Sequence, residues 1–196
     1  MMGGMNDEQV EEAGTHAGEP DGFERLWTPH RMVYLAGEDK PTDAGPGPGC
    51  PFCRVRPEGQ GADDDERLLV VARGTECFAV LNLYPYNPGH LMLCPYRHVA
   101  AYPDLTASET AELAAMTQTG MRVLAAVSAP HGFNLGMNQG GVAGAGIAAH
   151  LHQHVVPRWG GDSNFLPIVG RTKALPQLLG DTRQRVADAW PASSAG

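Results

Sequence analysis

Three histidines occupy alternate positions in His150-Leu151-His152-Gln153-His154, and Val155-Val156-Pro157 follows. Successive side chains of a β-strand point to opposite faces, so an extended segment from about His150 to Pro157 sets three imidazoles on one face. Leu151, Gln153 and Val155 line the other. A row of imidazoles is costly to bury as ordinary core, because each ring has two polar nitrogens that need partners. Two chemistries suit the arrangement: metal coordination, and transfer of a phosphorus group to an imidazole nitrogen, which is nucleophilic when neutral near pH 7.

Further residues have the types and spacing for chemistry. Cys50-Pro51-Phe52-Cys53 has the spacing of a metal-ligand pair. A redox pair is the rival reading, although no strand leads into this one and no helix clearly leaves it, and two free thiols are another. The loop from Asn138 to Gly146 is built mainly of glycine and alanine. Such a backbone can approach an anion closely and aim successive N–H groups at it. It precedes a strand instead of opening a helix, so it is neither a P-loop nor a dinucleotide-binding fingerprint.

The elements that must position these residues can be read from periodicity and turn chemistry. Thr28 and Pro29 open a short helix over Leu26–Leu35. Gly37–Gly49 is a Gly/Pro-rich connection, and Pro57–Glu66 reads as a polar loop. Strands are expected at Leu68–Ala72, Cys77–Leu81 and His90–Cys94, antiparallel because turn formers fill Asn82–Gly89. Cys77 and Cys94 fall in apolar strands, where a small buried hydrophobe is the commoner role. Thr106-Ala107-Ser108-Glu109 is a capping box that opens a helix to about Val127, ended by Pro130 and Gly132. A strand at Phe133–Met137 and a last helix from about Leu175 to Trp190 complete an α+β order, with no internal repeat.

Composition excludes several classes. The 196 residues carry a formal net charge of −8, but residues 1–24 hold seven acids and no Lys or Arg. The acidity belongs to a tail expected to be disordered, and residues 25–196 are expected to form one domain with charge near balance. Without a basic field there is no case for a nucleic-acid partner. No apolar run approaches membrane-spanning length, and no signal-peptide pattern opens the chain, so no membrane role and a cytoplasmic location are expected.

Taken together, the triad and the segment Asn82–Pro95, with Pro88-Gly89-His90-Leu91-Met92-Leu93 at its heart, resemble the histidine-triad (HIT) superfamily of nucleotide hydrolases and transferases. The resemblance spans roughly residues 26–185 and implies an antiparallel sheet with helices packed on it. Gln153 departs from the family pattern, which has an apolar residue there, and should affect only the packing behind the strand. The resemblance makes His152 the nucleophile that attacks the α-phosphorus of a nucleotide, with His154 holding or protonating phosphate oxygens. His90 would add a hydrogen bond near the substrate. Asn82 matches the ribose-binding position, the alternative being a turn asparagine. Asn138 and the amides around Gly144, Ala145 and Gly146 become the candidate α-phosphate cradle. The resemblance also implies a structural zinc held by Cys50, Cys53, His98 and His150, free thiols being the alternative, so that His150 serves the triad as a supporting member.

Flanking segments are similar to a bacterial branch that includes diadenosine tetraphosphate phosphorylases: Leu26-Trp27-Thr28-Pro29, Ala143–Ile147 and Pro157–Phe165. This implies phosphorolysis of diadenosine tetraphosphate to ATP and ADP with inorganic phosphate as co-substrate, the alternative being hydrolysis of a dinucleoside polyphosphate or nucleoside phosphoramidate to release AMP, and an assembly of two or more copies. A binding module without turnover is the reading from a different class. Arg158 could bring positive charge to a polyphosphate or be a solvated strand-end residue. Trp159 and Phe165 could stack on a base, pack in the core or line an interface.

Overall fold

The computed structural model describes residues 45–59, 61–162 and 178–192. The acidic tail, the helix expected over 26–35 and Phe165 lie outside these residues. A short helix, Ala62–Arg67 (α1), leads into strand Val70–Arg73 (β1), followed by Cys77–Leu81 (β2) and Leu91–Pro95 (β3). Helix Ala107–Ser128 (α2), strands Gly132–Gly136 (β4) and Gln153–Arg158 (β5), and helix Leu179–Asp188 (α3) complete the order. The strands form one antiparallel sheet in the order β1-β2-β3-β5-β4.

Every residue of β2 and β3 is buried, which requires cover on both faces of the sheet. Cys77, Ala79, Leu81, Leu91, Leu93 and Val155 turn toward the helices, meeting Leu113, Met116, Val123 and Leu124 of α2 and Val186 of α3. Phe78, Val80, Met92 and Cys94 turn the other way, onto Cys50, Phe52 and Val55. Cys77 and Cys94 are thus packing residues, and none of the four cysteines is in a disulfide. Helix α2 sits close on the sheet at Gly120, where an added Cβ would lie 2.7 Å from Leu91 Cδ2.

The capping box forms as expected. Thr106 Oγ1 accepts from Glu109 N–H at 3.1 Å, and the Glu109 carboxylate accepts from Thr106 N–H at 2.8 Å. An N-cap of this type is worth about 1 kcal/mol. The same carboxylate, only 2% exposed, accepts two bonds from the Arg97 guanidinium at 2.8 and 2.7 Å. The helix start is thereby tied to the segment leaving β3.

Departures from the expected elements have local causes. The loop expected over 57–66 contains α1, which has no buried residue and hence no periodic signal; Asp63, Asp64 and Asp65 favour its N-terminal turn. Strand β1 starts two residues late because Leu68 caps α1 and Leu69 takes a left-handed conformation, φ 59°. Strand β5 starts at Gln153, so His150 and His152 precede the ladder. No helix among the described residues is long and apolar enough to cross a membrane.

Glu109 yields a test of stability against pH. Arg97 hydrogen bonds, with help from Thr106, hold its pKa below the ordinary 4.5 against the opposing effect of burial. A depressed carboxylate stabilises the fold above its unfolded pKa and loses that contribution as pH falls through the folded value. Glu109→Gln is expected to melt below the parent at pH 7. The gap should stay constant down to about pH 4.5 and shrink below it, as read by thermal denaturation across a pH series.

Candidate active site

The β3–β5 register sets the site. Met92 pairs with His154 and Leu93 with Gln153, so His154 shares the face of Met92 while Gln153 shares the helix face. Gln153 Nε2 donates to Thr117 Oγ1 of α2 at 2.8 Å, which accounts for a polar residue where an apolar one is usual. His152, in the extended residues just before β5, places its ring 4.9 Å from that of His154 in a T-shaped contact. Both rings line one cavity of about 310 Å³.

Hydrogen bonds define which nitrogen of each ring carries the proton. His152 Nδ1 lies 2.9 Å from the main-chain oxygen of His150, and a carbonyl only accepts, so Nδ1 holds the proton and Nε2 the lone pair. Burial lowers the His152 pKa from 6.5, the bond to His150 opposing, so the ring is neutral near pH 7. On the neighbouring ring the chain of donors runs in the opposite sense. Tyr86 N–H donates to His90 Nδ1 at 3.1 Å, leaving the proton on His90 Nε2, which lies 2.9 Å from His154 Nδ1. His154 therefore carries its proton on Nε2. One ring offers a lone pair and its neighbour a donor, which is a competent pair for attack on a phosphorus centre with support for its oxygens.

His150 stands apart from this pair. It is fully buried and does not line the cavity. Its Nε2 lies 2.9 Å from Pro95 O and donates to it, so Nδ1 holds a lone pair, 3.4 Å from Cys50 Sγ and 3.5 Å from Cys53 Sγ. Cys53 Sγ lies 3.1 Å from His98 Nδ1. Burial drives the His150 pKa down to about 4, which keeps the ring neutral. The four donor atoms lie within 4.8 Å of one another. A tetrahedral zinc with bonds of about 2.0–2.3 Å separates its donors by roughly 3.3–3.8 Å, so this Cys2His2 group fits a closed metal site.

The structure brings most of the expected residues together and separates a few. Asn82, Asn138, Gly144 and Gly146 line the cavity, and Ala145 does not. Asn138 Nδ2 donates to Gly144 O at 3.3 Å, closing the glycine loop on itself. Asn82 lines the cavity and also acts as a turn asparagine, its Oδ1 accepting from Tyr84 N–H at 2.9 Å. His90, expected beside substrate, is 1% exposed and lies behind His154, so any effect it has passes through that ring. Arg158 is not a cavity cation. It makes bonds of 2.6 and 2.9 Å to the Asp162 carboxylate and a third to Asn134, at the far end of β5. Trp159 lies off the cavity too, its Nε1 donating to Ser128 O at 3.3 Å.

Two contributors escaped the sequence reading. Phe52, between the two cysteines, lines the cavity, and Tyr86 stacks on His90 with centroids 4.9 Å apart. The place of Phe52 inside the cysteine pair and of Tyr86 four residues before His90 was the available signal, but only the fold shows which ring each one meets.

This antiparallel sheet with helices behind it superposes on solved histidine-triad structures. A hypothetical histidine triad nucleotide-binding protein from Sulfolobus tokodaii superposes with a TM-score of 0.56 at 25% identity, over 71% of this chain and 91% of that one. A zinc-bound histidine triad family protein from Mycobacterium smegmatis gives 0.52 at 23%, over 62% and 83%. The HIT domain profile matches residues 66–161. An AP-4-A phosphorylase of Mycobacterium tuberculosis is 54% identical over 175 residues, 88% of this chain and 87% of that protein. A bifunctional bis(5'-adenosyl)-triphosphatase/adenylylsulfatase of Arabidopsis thaliana is 36% identical over 85 residues, 43% of this chain and 47% of that one. The chain belongs to the HIT domain family.

The cysteine cluster makes its own prediction. Purified protein is expected to hold about one equivalent of zinc by elemental analysis, and Cys50→Ser or His98→Ala to lower that content sharply. Full retention in both variants would remove the cluster from metal binding.

Proposed function

We propose that this chain is an enzyme that splits dinucleoside polyphosphates through a nucleotidyl-histidine and passes the nucleotidyl group to inorganic phosphate. The observation that carries this reading is His152: a neutral, cavity-lining imidazole whose Nδ1 is held by a carbonyl and whose Nε2 keeps its lone pair. Nε2 attacks the α-phosphorus of diadenosine tetraphosphate; a P–N bond forms, the P–O bond breaks, and ATP departs. A phosphate oxygen then displaces the imidazole, giving ADP and restoring His152. His154, protonated on Nε2, supports the phosphate oxygens, and His90 fixes that tautomer from behind. Asn82 serves the ribose, and Asn138 with the amides around Gly144–Gly146 cradles the α-phosphate. The kinship with a protein named AP-4-A phosphorylase supports phosphate as acceptor.

Cys50, Cys53, His98 and His150 would hold a structural zinc; such a site is closed, so its chemistry is to cross-link the chain. We take residues 25–196 as one functional unit acting in the cytoplasm, consistent with four unpaired cysteines. Assembly into dimers or larger oligomers is supported by β4, the last strand in the sheet, where Leu135 is 50% exposed.

The acceptor is tested with labelled inorganic phosphate and diadenosine tetraphosphate. Label is expected in ADP, with ATP formed in equal amount. AMP released at the same rate with or without phosphate would favour hydrolysis, the activity named for the Arabidopsis relative. His152→Asn is expected to cut turnover by about 10³-fold or more while leaving AMP binding largely intact. Undiminished turnover would overturn the covalent route.

A further inference from the structure

The cysteine cluster and the histidine pair are two sites by chemistry but share one wall. Phe52 lies on the short 3-10 turn Phe52–Arg54, directly between Cys50 and Cys53 in sequence. Its ring stands edge-on to the metal-ligand candidate His150, with centroids 5.3 Å apart, and tilted against His152 at 5.0 Å. It is 6% exposed. Pro51, Phe52, Arg54 and Val55 line the same cavity as His152 and His154.

How this wall is held in place matters. The segment 47–55 belongs to no strand of the sheet. Its backbone bonds are internal, Cys50 N–H to Gly47 O and Val55 N–H to Phe52 O, and Arg54 Nε donates back to Pro48 O. Among the described residues, each hydrogen bond from this segment to the rest of the chain runs through Cys50 or Cys53, to His150 or His98. Apolar contacts of Cys50, Phe52 and Val55 with Phe78, Val80, Met92 and Cys94 complete the seat.

We infer that metal binding at Cys50, Cys53, His98 and His150 sets the nucleotide cavity as well as the fold, and that Phe52 is the positioning residue that carries this setting to His152. Cys50, Cys53, His98 and His150 would hold the metal, and their four donor atoms would then keep fixed separations. This fixes the turn, seats Phe52 against the His152 ring, and holds that ring where its Nδ1–H meets the His150 carbonyl. Groups that orient metal ligands from the outer shell are worth about 10- to 100-fold in metal affinity or activity. The inference rests on the reading of the cavity as a nucleotide site and is independent of the acceptor.

The test uses the full chain, zinc-loaded and after removal of zinc by a chelator, with circular dichroism as the control for folding. AMP affinity is read by calorimetric titration, and the tautomer of His152 by the nitrogen-15 resonances of its ring. On removal of zinc, AMP affinity is expected to fall about 10- to 100-fold and the single Nδ1–H tautomer to be lost, both returning when zinc is restored. Stripped, folded protein that binds AMP as tightly as the loaded form, with the tautomer intact, overturns the inference. So does a purified chain that takes up no zinc and still binds AMP. If the stripped chain unfolds, Phe52→Ala with zinc retained decides: weaker AMP binding with a mixed His152 tautomer supports the inference, and parent-like values for both overturn it. Phe52→Leu, which refills the space, should recover part of both signals. Loaded parent protein that fails to bind AMP overturns the nucleotide reading itself and this inference with it, whereas equal binding by the stripped form overturns this inference alone.

Discussion

The bond from His152 Nδ1–H to the main-chain oxygen of His150, 2.9 Å long, is the interaction on which the site depends. It decides where the lone pair of His152 lies, and it is only as well placed as the carbonyl that accepts it. That carbonyl belongs to a fully buried residue whose ring is held at both nitrogens, one donating to Pro95 O at the end of β3 and the other facing two thiols. In a medium of low dielectric, each of these bonds is strengthened and each lost partner is costly. His150 cannot turn without orphaning a buried group, so the nucleophile candidate inherits the rigidity of a residue that never reaches the cavity.

The sheet supplies the remaining constraint. Because β2 and β3 are covered on both faces, their alternation cannot slip by a residue without sending Leu91 and Leu93 to the cavity side and Met92 and Cys94 to the helices. The register of β5 on β3 is therefore imposed by packing, and with it the side on which His154 appears. Gln153 reinforces that choice by bonding to Thr117 on α2. A polar residue at a position that favours apolar ones is thus satisfied on the helix side and leaves the histidine face untouched.

The hydrogen-bond network gives the two cavity histidines opposite characters without any difference in residue type. His152 donates at Nδ1 and His154 accepts there, because one meets a carbonyl and the other a ring whose own Nδ1 is already occupied by Tyr86 N–H. Main-chain groups thus leave one ring with a lone pair and the other with a donor, so substitutions far from the cavity can alter which nitrogen carries the proton.

Much of this was legible in the chain. The alternation His150-His152-His154, the CxxC spacing, the capping box at Thr106 and the apolar alternation of β2 and β3 all report local periodicity, and local periodicity survives into the fold. Helix α1 was not legible because it buries no residue and has no apolar stripe to detect. Arg158 read as a possible cavity cation because sequence distance says nothing about which end of a strand faces the site; Asp162 claims it instead. Sequence alone determined which side chains were available and which neighbours in the chain could share a face, since strand and helix periods are properties of the backbone. Only the tertiary structure decided that His150 turns to the cysteines, that His90 stands behind His154, and that Phe52 joins the two clusters. Those outcomes depend on contacts between residues far apart in the chain, such as the 100 positions from Cys50 to His150, and packing, not spacing, sets them.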